Sequence, residues 1–412
     1  MSLPAASRLA RHAPVAVDQA VSSGSNFLLA LLVARSVSAA DFGQFALATS
    51  VYWMALGGLR ALVAEPLLIL REHAAPAGAR LSAAVGLGVS IALGGSVAGA
   101  VVLVAGGPGT VGWLLVCLPV LIWQDLARYC AFSLKRPLEA LLSDGLWLAL
   151  LLATGVALLA TGHRPSVSGW LVLWAACALV PAVVTAARTG AWPARAGQRA
   201  WWARSRRQAG PMLGDFAVYT VRDSLFVFLL PVVTTFALLG QVKAAMVATG
   251  PLSVLMTAAG IAALPELARR WAHTSQVPAR AGLLVGAGMA AIAGCYGLAL
   301  LALPPGWGRW LFGESWVGVG VLPALLAFQS AVLCLGQGAI LTLLAIGSPG
   351  WLLRARLALL PLTLLVPLLA ARFGGLTVLG VSSIGIALVT GAVMWALLLR
   401  LARRTPEPVA AG

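Results

Sequence analysis

An all-α polytopic membrane protein, with about twelve transmembrane helices in two six-helix lobes, is the architecture this chain implies. Three observations imply it. Of 412 residues, 60% are hydrophobic and 10% charged, and the mean hydropathy is +0.95. Bilayer rather than water must cover most of such a surface. The apolar residues gather into runs of membrane length, about 17–25 residues each. The basic residues alternate in abundance from one intervening loop to the next.

In order, the runs are 15–36, 44–70, 81–105, 111–131, 139–161, 169–188, 212–237, 243–265, 281–303, 317–345, 352–371 and 376–399. The second and tenth exceed one span, which implies tilt or interfacial turns. With the N-terminus inside, 21 of the 28 basic residues fall in cytoplasmic segments. Five fall in outer ones (Arg35, Arg164, Lys243, Arg309 and Arg372), and two, Arg60 and Arg222, lie inside spans. This is the positive-inside pattern of an even span count with both termini cytoplasmic. The net charge of +16 is therefore mostly a topology signal, and its placement argues against nucleic acid as a partner. Asp18, Gln19 and Asn26 spoil a signal-peptide core in the first run, so it reads as a retained span. The five cysteines lie in or at the ends of runs without a CxxC or Cys/His cluster, which supports neither a disulfide framework nor a metal site.

Residues 1–188 form the expected N-terminal lobe, 189–211 a basic cytoplasmic connector, 212–400 the C-terminal lobe and 401–412 a cytoplasmic tail. The connector sets Trp192, Trp201 and Trp202 among five arginines, a composition suited to the headgroup layer or to a plain inter-lobe linker. The two lobes share a spacing. Asp18 precedes Pro66 of a Glu65-Pro66 pair by 48 residues, and Asp215 precedes Pro265 of a Pro265-Glu266 pair by 50, as parallel repeats would.

Each lobe opens with a polar stripe. Asp18, Ser22, Ser25 and Asn26 follow an i, i+4, i+7, i+8 pattern, and so do Asp215, Tyr219, Arg222 and Asp223, which places each set on one helical face. Charges at bilayer depth face a bundle interior or a watery cavity. Two such stripes therefore point to a transporter with a polar cavity between its lobes. Arg60 lies deep in the second span, and Glu65 is about 140° around an ideal helix from it. Arg60 and Arg222 must then find partners on other helices, in water or on a ligand. Their planar guanidiniums suit a phosphate-bearing substrate, and an interhelical ion pair with Asp18, Asp223 or Glu65 is the alternative. Asp18, Glu65 and Asp223 are candidate coupling groups able to trade protons or sodium ions, although Asp18 and Asp215 also complement a helix N-terminus. Asp125 and Arg128, at i, i+3, read as a structural pair, with Lys135-Arg136 and Asp144 flanking the next turn of chain. No catalytic residue or cofactor is assigned, because the outer loops offer only Asp41, Glu314, His163 and a few arginines.

The run Asp18-Gln19-Ala20-Val21-Ser22-Ser23-Gly24-Ser25-Asn26-Phe27, with Ala34-Arg35 and Asp41-Phe42-Gly43-Gln44-Phe45, resembles polysaccharide flippases of the O-antigen and exopolysaccharide type. These belong to the multidrug/oligosaccharidyl-lipid/polysaccharide exporter superfamily. Gly58-Leu59-Arg60-Ala61-Leu62-Val63-Ala64-Glu65-Pro66 is similar to a second-span motif there, and Gly250-Pro251-Leu252 through Leu264-Pro265-Glu266 to an eighth-span one. The resemblance implies a pseudo-two-fold axis between the lobes and alternating access. It implies a bacterial cytoplasmic membrane protein that flips a polyprenyl-diphosphate-linked oligosaccharide, alongside glycan-assembly enzymes. Arg60 and Arg222 are the positions that fit its diphosphate contacts. A cation-coupled multidrug exporter of the same superfamily is the first alternative, against which two deep arginines weigh electrostatically. A polyprenyl-sugar glycosyltransferase or polymerase is the second, and it would need catalytic groups on a sizeable outer loop.

Overall fold

Long apolar helices joined by very short turns can only stack beside one another, and the first half of the chain does so. The structure, a computed structural model, describes residues 5–70, 77–274, 276–304 and 306–403, whose regular structure is all helical, with no strand. The first half comprises α1 (Ala5–Ser36), α2 (Ala39–Leu59), a π-helical turn (Arg60–Ala64), α3 (Glu65–Ile69), α4 (Ala77–Val104), α5 (Gly109–Ser133), α6 (Pro137–Ala160) and α7 (Val167–Thr189). Local chemistry sets several boundaries. Ser38 and Ser166 cap α2 and α7 by accepting the N–H groups of Asp41 and Gly169, Pro137 occupies the first turn of α6, and Gly190 ends α7 in the left-handed region at φ 73°. In this unit α4 packs on α5, α5 on α7 and α1 on α6, around a core that includes Trp170, Trp174, Phe42 and Phe45.

The second expected run is one 30-residue span, Ala39–Leu68, interrupted by the π turn. There the N–H of Glu65 bonds to the carbonyl of Arg60, five residues back. The wider turn sets Glu65 beneath Arg60, in place of the ideal-helix offset expected from the sequence.

Residues 198–211 of the expected connector form the opening turns of α8 (Gln198–Val233), a continuous 36-residue helix. The segment ahead of it packs against α4 and α5 of the first unit. Ala194 donates its N–H to the Ser82 carbonyl at 3.2 Å, Trp192 meets Trp123 at 5.9 Å between ring centroids, and Gln198 exchanges hydrogen bonds with Ser90. Trp201 is buried and Trp202 exposed. Contacts divide the chain within α8, into Met1–Val227 and Phe228–Gly412.

The second unit continues with α9 (Phe236–Ala248), α10 (Gly250–Thr274), α11 (Ala279–Ala302), α12 (Trp307–Phe312), a 3-10 turn (Gly313–Trp316), α13 (Leu322–Ala345) and α14 (Pro349–Ala402). α9 and the start of α10 are bent by 49° and together have the length and apolar composition of one span, at the place of the eighth expected run. The overlong tenth run, 317–345, resolves into a turn at 317–321 and α13, and just ahead of it Trp316 packs on Trp307 and Phe312 with ring centroids 4.8 and 4.9 Å apart. The last two expected spans meet inside α14 at Gly375, whose φ of 66° and ψ of −160° suit only glycine.

Among the described residues, eight helices are long and apolar enough to cross a membrane, or nine with the bent pair. α1 and α8 are not among them, although each is longer than a span needs. They are the two helices that carry the polar stripes. Adding them and counting α14 as two spans gives the twelve-span, two-lobed fold expected.

Candidate functional site

The hairpin of α5 and α6 brings residues equidistant from its turn to one depth. Asp125 lies eight residues before the end of α5 and Asp144 seven after the start of α6. Around them, within the first unit, is a buried charge cluster drawn from four elements. Arg60, in the π turn, clamps Asp125 through both carboxylate oxygens, with Nε to Oδ2 at 2.8 Å and Nη2 to Oδ1 at 2.5 Å. Arg128 donates Nη1 to Asp144 Oδ2 at 3.1 Å and to Ser22 Oγ at 3.2 Å. It also stands 3.7 Å from Asp18 Oδ2 and 3.8 Å from Asp125 Oδ1. Gln124 completes Asp144, donating Nε2 to its Oδ1 at 3.0 Å and to Ser143 Oγ at 3.2 Å.

Asp18, Gln124, Asp125, Arg128, Ser143 and Asp144 are all buried. Aromatic walls enclose the cluster. Tyr129 lies under the Arg60 guanidinium at 5.5 Å and Phe132 under that of Arg128 at 5.8 Å. Tyr52 meets Trp174 edge-on at 4.9 Å, and Trp147 stacks on Trp174 while donating its N–H to the Trp174 carbonyl.

Two features of this cluster have chemical consequences. Three carboxylates (Asp18, Asp125, Asp144) face two guanidiniums (Arg60, Arg128), so full ionisation leaves one negative charge in surplus. Two buried polar atoms, Asp18 Oδ1 and Arg128 Nε, have no hydrogen-bond partner among the described residues. Both occur where α1 meets α5, and a polar atom left in that state is destabilising unless something further binds it. Among the described residues no group of three or more His, Cys, Asp or Glu side chains is arranged to hold a metal ion.

The sequence-predicted residues distribute unevenly around this centre. Asp18, Ser22 and Arg60 belong to it. Asn26 turns back on its own helix and donates to the Ser22 carbonyl, as Ser25 does. Glu65 is half-buried just past the π turn. Arg222 and Asp223 pair with each other at 2.8 Å, with side chains 48% and 71% exposed, and no described contact joins them to Arg60. The side chains of Asp215 and Tyr219 lie outside the described ones.

Two expectations about partners need correction. Arg60 pairs with Asp125, not with Asp18, Asp223 or Glu65. Asp125 and Arg128 are not mainly each other's partner, because Arg60 and Asp144 offer both charges shorter, better aligned contacts on neighbouring helices. The residues missed, Gln124 and Ser143, did leave a signal. Each is a polar side chain next to an acid in an otherwise apolar span, at matched distance from one turn.

No known protein family's sequence profile matches the chain, and no curated protein matches it. Solved structures do. An inward-facing multidrug resistance MATE family transporter of the MOP superfamily superposes with a TM-score of 0.67 at 12% identity, over 96% of this chain and 99% of that one. The MATE multidrug transporter DinF-BH gives a TM-score of 0.56 at 13% identity over 95% and 94%. A MOP superfamily transporter from Pyrococcus furiosus, whose binding pocket is described as reversed in polarity, gives 0.51 at 13% over 96% and 95%. At that identity the likeness establishes the fold: the chain is folded as the MOP superfamily transporters are.

Proposed function

We propose that the chain is an alternating-access exporter of the cation-coupled, multidrug kind, working in a cytoplasmic membrane with both termini inside. One observation carries this reading: the surplus carboxylate of the buried cluster, with Asp18 Oδ1 unpartnered. A proton or sodium ion taken up there neutralises the surplus and loosens Asp18 from Arg128, so that α1 is held differently in the loaded and empty states. The arginines no longer weigh against a cationic cargo. Asp125 neutralises Arg60 and Asp223 neutralises Arg222, and the cluster when fully ionised carries a net negative charge. The solved relatives in fold described as multidrug transporters support the same cargo class.

The test is dye efflux from proteoliposomes under an imposed proton or sodium gradient. Asp18→Asn keeps the shape of the side chain and removes its charge, so it is expected to abolish gradient-driven efflux while the protein stays folded. Gradient-driven efflux at the wild-type rate in that variant would overturn the proposal.

Flipping of a lipid-linked oligosaccharide is the second reading, favoured by the partial exposure of Arg60 (27%) and Arg222 (48%). It requires a diphosphate to compete with Asp125 for the Arg60 fork. Restoration of lipid-linked glycan export in a flippase-deficient strain, lost on Arg60→Ala, would favour it over drug export.

A further inference from the structure

The second unit contains a groove of about 960 Å3, near the upper end of the roughly 300–1,000 Å3 of ordinary ligand pockets. Leu229, Val232 and Val233 supply one wall, an i, i+3, i+4 stripe at the end of α8. Leu365, Leu368 and Leu369 supply the other, a stripe of the same spacing on α14. That stripe continues one turn on to Arg372 and Phe373, and Arg372 is the single charged residue lining the groove. Its guanidinium lies 5.7 Å from the Phe373 ring, and both side chains are exposed. Beside it Thr234 and Thr235 lead into α9, with Thr235 capping that helix by accepting the Leu238 N–H.

In the first unit the helices at the corresponding places in the order, α1 and α6, pack directly together. The second unit leaves this place unfilled. A groove with apolar walls along two spans and one cation at its mouth has the polarity of a single phospholipid: acyl chain below, phosphate above. The mouth lies at the span ends that face outward when the arginine-rich loops face the cytoplasm.

We propose that this groove binds one anionic phospholipid of the outer leaflet, its acyl chain between α8 and α14 and its phosphate on the Arg372 guanidinium. The bidentate geometry of arginine with phosphate oxygens supplies the headgroup contact. The helix dipole at the start of α9 adds to it.

The proposal is tested on the purified full chain, delipidated in detergent and titrated with phosphatidylglycerol or with phosphatidylcholine of the same acyl chains, by native mass spectrometry. The wild type is expected to retain phosphatidylglycerol in preference to phosphatidylcholine, and Arg372→Gln to weaken that retention about tenfold. Leu369→Trp, which fills the groove and keeps the arginine, is expected to lose it as well. Arg309→Gln, at another outer arginine, is expected to behave as the wild type. Circular dichroism and monodisperse elution establish that each variant is folded. Equal retention of the two lipids by the wild type, detergent adducts alone, or undiminished phosphatidylglycerol on either groove variant would each overturn the proposal.

Discussion

The two units solve the same packing problem with different materials. In the first, ion pairs tie helices together across long stretches of chain: Arg60 to Asp125, and Arg128 to Asp18 and Asp144. In the second, the ion pairs described are local and exposed, joining Arg269 and Arg270 to Glu266, and Arg309 to Glu314. What closes the second unit is the absence of side chains, a device the first unit also uses where Gly99 of α4 meets Gly112 of α5 but supplements with buried ion pairs. A Cβ on Gly338 of α13 would sit 2.2 Å from the Gly282 carbonyl of α11, and one on Gly336 would sit 3.0 Å from the Cα of Gly391 on α14. Small residues that let backbones approach are the ordinary means of association in a bilayer. Buried charges are not, since desolvation offsets much of their attraction. The ion pairs described in the second unit are exposed and local, so the buried interhelical pairs of the first unit are the ones to which the proposed coupling role is assigned.

Substitutions that remove one material from each unit break this comparison or sharpen it. Asp125→Ala strands the half-buried Arg60 guanidinium and takes one of three carboxylates from Arg128, and is expected to destabilise by about 3–5 kcal/mol, read as thermal unfolding in detergent by tryptophan fluorescence. Replacing Arg60 and Asp125 together by leucine should recover most of that loss. If the double variant is no more stable than the single one, the pair does not act as a unit. Gly338→Ala drives a methyl into the backbone of α11, where no rotamer change relieves it, and is expected to cost about 1–3 kcal/mol by the same measurement. Glu314→Gln removes an exposed partner of Arg309 and should leave the unfolding temperature unchanged within error. A large effect there would mean that the local pairs of the second unit matter as much as the interhelical pairs of the first.

The fold was legible in the sequence because hydropathy and loop charge act over whole segments. Twenty apolar residues have few alternatives, and a misjudged boundary changes little. The cluster was legible only in part. Asp18, Ser22 and Arg60 stood out as polar atoms at bilayer depth, but who pairs with whom depends on which helices are neighbours and at what rotation. No periodicity along one helix carries that information. Asp125 was hidden by the nearness of Arg128, which offered a sufficient partner on the same face three residues away. Arg222 and Asp223 stood out in the same way, and they pair with each other because long side chains at neighbouring positions can still reach one another around the helix. The connector's composition suited a linker or the headgroup layer, and it did not reveal that Ala194 and Gln198 meet α4, that Trp192 meets α5, or that Trp201 is buried while Trp202 is exposed.

The π turn at Arg60–Ala64 has a consequence for how this protein responds to insertion and deletion. A π turn is an α-helix carrying one surplus residue, so it stands out as the one place in the second span where losing a residue improves the local hydrogen bonding. Removing Leu62 would restore the four-residue ladder while the helix on either side keeps nearly its present facing, because the π turn absorbs its surplus residue within one widened turn. Arg60 is then expected still to face Asp125, whereas the same deletion elsewhere in the span would turn one part against the other by about 100°. For this helix the stretch from 60 to 64 is where a change of length disturbs the cluster least.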